Sequence, residues 1–193
     1  MKKGNVIHLN GTSSSGKTTL AHALQEALKA PYYLMKLDTF LYDICPKKFY
    51  ESDADEDEFA WVNALKLMFH TAKMYSDYGH NVIIDDVNAA EEWDFIDEAI
   101  QTLKENNVLF VHVECPLEEL ERREIARGDR EVGLAKRQIS RLYPPCKTYD
   151  VTVDTHTEGL EESVAKIVKK IEGDEIFTAY RLLHEKREKD NWN

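Results

Sequence analysis

Short apolar runs alternate along this chain with longer stretches in which apolar residues recur every three or four positions. Residues 6–9 (Val-Ile-His-Leu), 32–37, 81–86, 108–113 and 149–154 are the short runs. Near-continuous runs of that length predict strands covered on both faces. Residues 19–28, 58–78, 91–105, 117–126, 134–142 and 160–171 carry the longer period. Trp61, Leu65, Met68, Ala72 and Tyr75 fall on one stripe of the second stretch, and Leu160, Val164, Ile167, Val168 and Ile171 on one stripe of the last. Such stripes predict helices packed on a core. Strand and helix in turn predict an α/β fold, with helices on both faces of a parallel sheet.

Breakers fall between these runs. Pro31 introduces the second strand, Gly79 ends the long helix, and Pro144-Pro145 stops the short one. Residues 38–58 show no period and hold Pro46, a lysine pair and the acids Asp53, Asp55, Glu56, Asp57 and Glu58. The acids read as solvated surface or first-turn helix chemistry, with a substrate or metal role as the alternative. Past Gly173, residues 174–189 predict one more helix, with Ile176, Phe177, Tyr180 and Leu183 on one side. It packs either on the domain or on a second subunit, which leaves a homo-oligomer open. We divide the chain into one domain, 1–173, with residues 174–193 as its helical extension.

Composition narrows the class. A chain of 193 residues suits a single domain, and a net charge of −11 argues against nucleic acid as a partner. No apolar stretch is long enough to span a membrane, and Met-Lys-Lys runs straight into a strand without a signal peptide. Cys45, Cys115 and Cys146 form no metal or disulfide pattern, so reduced thiols and a cytoplasmic location are expected. His8, inside the first strand, reads as a core histidine.

The chemistry begins after the first strand. Gly11-Thr12-Ser13-Ser14-Ser15-Gly16-Lys17-Thr18 has the P-loop spacing, between a strand and a helix. Backbone N–H groups and the helix N-terminus, which Thr19 extends, would cradle phosphates. Lys17 would reach the outer phosphates, and the Thr18 hydroxyl would ligate Mg²⁺. In open α/β sheets ligands lie beyond the carboxyl ends of the strands. Asp38 follows the second strand there, with Phe40 beside it as a second substrate contact; Asp85 and Asp86 end the third. We assign Asp85 to Mg²⁺ and Asp86 to the substrate, since neighbouring strand residues face opposite ways. Asp38 would accept the proton of an attacking hydroxyl; the alternative is a helix or turn cap. Arg123, Arg127 and Arg130, around Gly128, predict a lid near 123–135 that closes on a transferring phosphoryl group.

The segments Asn10–Thr18, Leu37-Asp38-Thr39, Ile83-Ile84-Asp85-Asp86-Val87, Ala126-Arg127-Gly128-Asp129-Arg130 and Tyr149–Thr155 occur in an order that resembles the chloramphenicol phosphotransferase family of small P-loop kinases. The resemblance runs over residues 5–170. It implies a nucleotide-kinase-like fold of three layers, α/β/α, with a five-stranded parallel sheet of order 2-3-1-4-5. It also implies ATP and Mg²⁺ as cosubstrates and transfer of the γ-phosphate to a hydroxyl of a small molecule. Antibiotic modification comes with the family name. By the same match Asp38 takes the place of the family's base, and Arg127 and Arg130 face phosphate in its lid. Other readings on this fold are a nucleotide or nucleoside kinase and a kinase-like toxin. A nucleotide-binding regulatory module without phosphotransfer is a reading of another class.

Overall fold

The computed structural model describes residues 2–50, 54–87, 94–128, 132–139, 142, 148–173 and 175–190. Five parallel strands form one sheet: β1 (Asn5–Asn10), β2 (Tyr32–Lys36), β3 (Asn81–Asp86), β4 (Asn107–Glu114) and β5 (Val151–Asp154). Their order is β2-β3-β1-β4-β5, as the resemblance implies. Among the described residues seven α-helices accompany them: α1 (Lys17–Ala27), α2 (Ala54–Asp77), α3 (Asp94–Leu103), α4 (Leu117–Arg127), α5 (Leu134–Ile139), α6 (Gly159–Glu172) and α7 (Ala179–Asp190).

Both faces of the sheet are covered, which is why the strands read as unbroken apolar runs. Ile7, Leu9, Ile83 and Leu109 pack with Leu20 and Leu24 of α1 and Ile167 of α6. Val6, Val82, Ile84 and Phe110 pack on the other face with Met68 and Phe69 of α2, Ile100 of α3 and Tyr180 and Leu183 of α7. Each large side chain fully buried this way contributes roughly 1.5–3 kcal/mol. The strand period therefore sorts every polar residue at the strand ends to one face or the other.

Residues 38–58 and the start of α7 differ from the periodic pattern, the second for a tertiary reason. Residues 38–58 hold a π-helical turn, Thr39–Ile44, in which Cys45 N donates to Phe40 O five residues back. A short 3₁₀ turn (Lys47–Phe49) follows, and α2 starts at Ala54, so Asp55–Glu58 form its first turn. The start of α7 is delayed to Ala179 because its cap comes from elsewhere. Asp150 Oδ1 accepts from Thr178 N (2.7 Å) and Ala179 N (3.0 Å), while its Oδ2 accepts from Phe110 N (3.0 Å). One carboxylate thus ends the irregular approach to β5, secures β4 and opens α7, work a local N-cap does in most helices. Cys45 and Cys115 are free thiols; Cys146 lies outside the described residues. No helix among the described residues is long and apolar enough to cross a membrane.

Candidate active site

The loop between β1 and α1 is shaped by two glycines. A Cβ on Gly11 would lie 2.4 Å from the Val113 carbonyl oxygen, so only glycine lets the loop press against β4. Gly16 adopts φ 93°, the left-handed conformation that starts α1 without a side-chain cap. The result is a helix N-terminus at the cleft, whose first-turn N–H groups have no acceptor within the helix. The buried ammonium of Lys17 folds over the loop and donates to Gly11 O (3.0 Å) and Thr12 O (2.7 Å). The hydroxyls of Ser14 and Ser15 are buried without a hydrogen-bond partner among the described residues. Buried donors of that kind, next to an ammonium, fit phosphate oxygens.

Asp85 and Asp86 are neighbours with opposite surroundings. Asp85 points to the α1 face, where its Oδ2 accepts a 2.6 Å hydrogen bond from Thr18 Oγ1. Burial pushes its pKa up; Lys17 and the Thr18 bond oppose that, and the charges of Asp86 and Asp38 add to it. Asp38 is therefore close enough for its charge to be felt at Asp85. Thr18 and Asp85 together offer two hard oxygen donors, the chemistry that suits Mg²⁺.

Asp86 points to the other face, and its Oδ1 is bonded to His8 Nε2 at 2.9 Å with both side chains fully buried. His8 Nδ1 meets the Tyr180 hydroxyl at 2.5 Å. Burial, and then the charges of Asp86 and Asp150, raise the Tyr180 pKa well above that of free tyrosine. The phenol keeps its proton and donates to Nδ1, which leaves the ring hydrogen on Nε2, directed at Asp86. The predicted core histidine is thus a link between the cleft wall and α7.

A cleft of about 700 Å³ joins these groups. Its phosphate end is lined by Ser13, Ser14, Gly16, Lys17, Thr18 and Thr19, and its far end by Lys36, Asp38, Tyr42, Trp61, Asp86 and Val87. Asp38 is exposed at the N-cap position of the π-helical turn and makes no side-chain cap bond there. Phe40 does not line the cleft; it packs against the core, and Tyr42 and Trp61 supply the aromatic lining. Trp61 belongs to the apolar stripe of α2 and reaches both core and cleft. Nothing in the periodicity separates those duties.

Arg123 spans the loop from above. Its Nη1 donates to Ser14 O (3.3 Å) and Thr155 Oγ1 (3.1 Å), its Nη2 to Thr155 O (3.3 Å), and Glu119 holds its Nε at 2.7 Å. Thr155 in turn donates to Ser15 O (2.7 Å). Arg123 and Thr155 therefore brace the P-loop against the end of β5. Hydrogen bonds from Arg122 and Arg123 lower the Glu119 pKa to about 2, so this brace stays charged through ordinary pH. Arg127, the last residue of α4, is exposed and lines the cleft, and Gly128 at φ 67° stops the helix behind it. Arg130 lies outside the described residues. Gln138, which also lines the cleft, carries no signal in its local sequence that marks it as a site residue, and Thr155 closes the segment Tyr149–Thr155 of the resemblance with no role assigned to it there.

The arrangement has known counterparts. The sequence matches the family described as chloramphenicol phosphotransferase-like protein over residues 4–172. It is 30% identical over 182 residues to "Putative O-phosphotransferase Rv2636" of Mycobacterium tuberculosis, covering 84% of this chain and 80% of the relative. It is 29% identical over 181 residues to an adenylyl-sulfate kinase of Picosynechococcus sp., covering 88% and 94%. The structure of the Mycobacterium tuberculosis APS kinase CysC in complex with AMPPNP and APS is similar in fold, with a TM-score of 0.69 at 20% identity over 90% of this chain and 100% of that one. P-loop, paired aspartates, sheet order and a family match over nearly the whole domain agree: the chain belongs to the chloramphenicol phosphotransferase-like family of P-loop kinases.

Proposed function

We propose that this protein is an ATP-dependent kinase that transfers the γ-phosphate to a hydroxyl group of a small neutral or cationic molecule. The observation that carries the reading is one cleft with Lys17, Thr18 and Asp85 at one end and Asp38 at the other. The P-loop N–H groups and Lys17 hold the polyphosphate. Thr18 and Asp85 would hold Mg²⁺, which when bound neutralises developing charge on the phosphoryl oxygens. Asp38 takes the proton of the acceptor hydroxyl, and Arg127 faces the transferring group from the lid. We include Arg130 in that lid on sequence grounds alone.

The acceptor class follows from charge. Among the described residues the far end of the cleft presents the Asp38 carboxylate and two aromatic rings against one cation, Lys36, with the buried Asp86 carboxylate held by His8 behind that wall. A phosphate- or sulfate-bearing acceptor would face like charges there, whereas a ring carrying hydroxyls, or an ammonium, would not.

A screen of small hydroxyl compounds with Mg·ATP tests this, with ADP formation measured above the acceptor-free rate. Chloramphenicol and adenylyl sulfate belong in it as the neutral and anionic cases. A neutral or cationic compound should stimulate turnover, and stimulation by adenylyl sulfate alone would overturn the acceptor class. Asp38→Asn should lower the stimulated rate about 10²-fold with nucleotide affinity little changed. An unchanged rate would reduce Asp38 to a cap.

A further inference from the structure

The peptide joining Thr12 to Ser13 is held at both of its polar atoms. Its oxygen accepts from Lys17 Nζ at 2.7 Å, and its N–H donates to Gln138 Oε1 at 2.6 Å. A backbone N–H can only donate, so the Gln138 atom facing it is the amide oxygen, and the orientation of the amide follows. The Gln138 NH₂ group, with two donors, is turned away from Ser13. Gln138 lines the cleft with Ser13, Ser14, Lys17 and Arg127.

The side chain is presented from a fixed support. Glu124 of α4 is fully buried, and its two oxygens accept from Gly133 N (2.8 Å) and Ala135 N (2.7 Å) at the start of α5. Ala135 is buried, and Gln138 follows it by three residues, on the same face of the helix. The clasp to α4 and the contact to the P-loop thus lie on one side of α5. In a P-loop the lysine reaches the β- and γ-phosphates, while the helix end of the loop cradles the inner ones. Because Lys17 grips the Thr12–Ser13 peptide, Gln138 stands at the γ end of the site.

We propose that Gln138 is a γ-phosphate-binding residue: its oxygen docks α5 on Ser13 N–H, and its NH₂ donates to a terminal phosphoryl oxygen of bound ATP. The inference rests on the kinase reading and assigns a recognition role within it. It makes α5 sensitive to whether the nucleotide carries three phosphates or two.

The substitution that separates docking from phosphate recognition is Gln138→Glu. It keeps an acceptor for Ser13 N–H but replaces the NH₂ by an oxygen that repels phosphate. Gln138→Ala removes both contacts. Calorimetric titration of wild type and both variants with Mg·AMPPNP and Mg·ADP, with melting curves to confirm folding, needs no knowledge of the acceptor. A hydrogen bond to a charged group corresponds to about 10- to 100-fold in affinity. AMPPNP affinity should fall by about that factor in Gln138→Glu while ADP affinity stays within about twofold. Wild-type preference for AMPPNP over ADP in the folded Gln138→Glu variant overturns the proposal and leaves the kinase reading intact. A parallel loss of both nucleotides overturns it too, as a loop-shape effect. A wild type that binds neither nucleotide overturns both readings together.

Discussion

At the phosphate end of the cleft lies a backbone cradle, drawn into place by Gly11 and Gly16 and lined by Lys17 and the hydroxyls of Ser13, Ser14, Thr18 and Thr19. At the far end the lining is side chains: Asp38 from the π-helical turn, Tyr42 from the same turn, Trp61 from α2 and Asp86 from β3. A backbone cradle is indifferent to what lies beyond the phosphates, so many kinases can share it. A wall of side chains is specific, and it can change without disturbing the sheet. The seam between the two ends is the pair Asp85–Asp86, where the strand period sends one carboxylate to Thr18 and the next to His8.

The largest effect is expected where the backbone cradle depends on one side chain. Lys17→Ala removes the charge at the outer phosphates and leaves the buried Gly11 and Thr12 carbonyls without their donor. Turnover should drop on the order of 10³-fold or more, since phosphoryl transfer rests on positioning and charge. Stability should fall by about 1–3 kcal/mol for the unpaired acceptors. Activity assays and thermal melting check the two parts. Retained turnover would mean the phosphate end lies elsewhere.

A smaller and more informative effect is expected at the seam. Asp85→Asn keeps an oxygen to accept from Thr18 and removes the charge that burial disfavours. The folded state raises the Asp85 pKa, so it binds that proton more tightly than the unfolded chain does. Stability contributed by this group therefore falls as pH rises from about 3.9 through the raised value, and stays lower above it. The variant should melt a few degrees higher than wild type at pH 7, with the difference closing toward pH 4. Its dependence of nucleotide binding on Mg²⁺ should weaken at the same time. A variant less stable than wild type at pH 7 would show that the negative charge serves the fold, and the division of labour at the seam would fail.

The two ends also differ in how far the chain's own pattern discloses them. Gly-x₄-Gly-Lys-Thr is a local code, because the loop's conformation depends on glycines within it, and the strand-then-helix context is itself periodic. The sheet and both of its covered faces follow from the same periodicity. Tyr42, Trp61 and Gln138 could not be singled out this way. Tyr42 enters through a π-helical turn whose hydrogen bonds skip one residue more than an α-helix does, so helical spacing misplaces its side chains. Trp61 fits a core stripe and is half core. Gln138 reaches Ser13 across 125 residues, a separation at which local pattern is silent. The delayed start of α7 has the same origin, for its cap, Asp150, lies 28 residues from Thr178.

The smallest expected effect belongs to Tyr180, farthest from the ligand and still connected to it. Tyr180→Phe preserves the ring packed in the core and deletes the hydroxyl that anchors His8 Nδ1. An unpaired buried ring nitrogen costs about 1–3 kcal/mol, roughly 2–4 °C in melting temperature per kcal/mol for a chain of this size. Asp86 still requires the hydrogen on Nε2, so His8 keeps that bond but loses the anchor on its other nitrogen, and the ring and the carboxylate it holds at the cleft wall loosen. If Asp86 belongs to the acceptor end, KM for the acceptor found in the screen should rise a few-fold while AMPPNP affinity holds. If nucleotide affinity falls and the acceptor KM does not, Asp86 belongs with Asp85 at the phosphate end, and the seam lies one residue further along the strand, after Asp86.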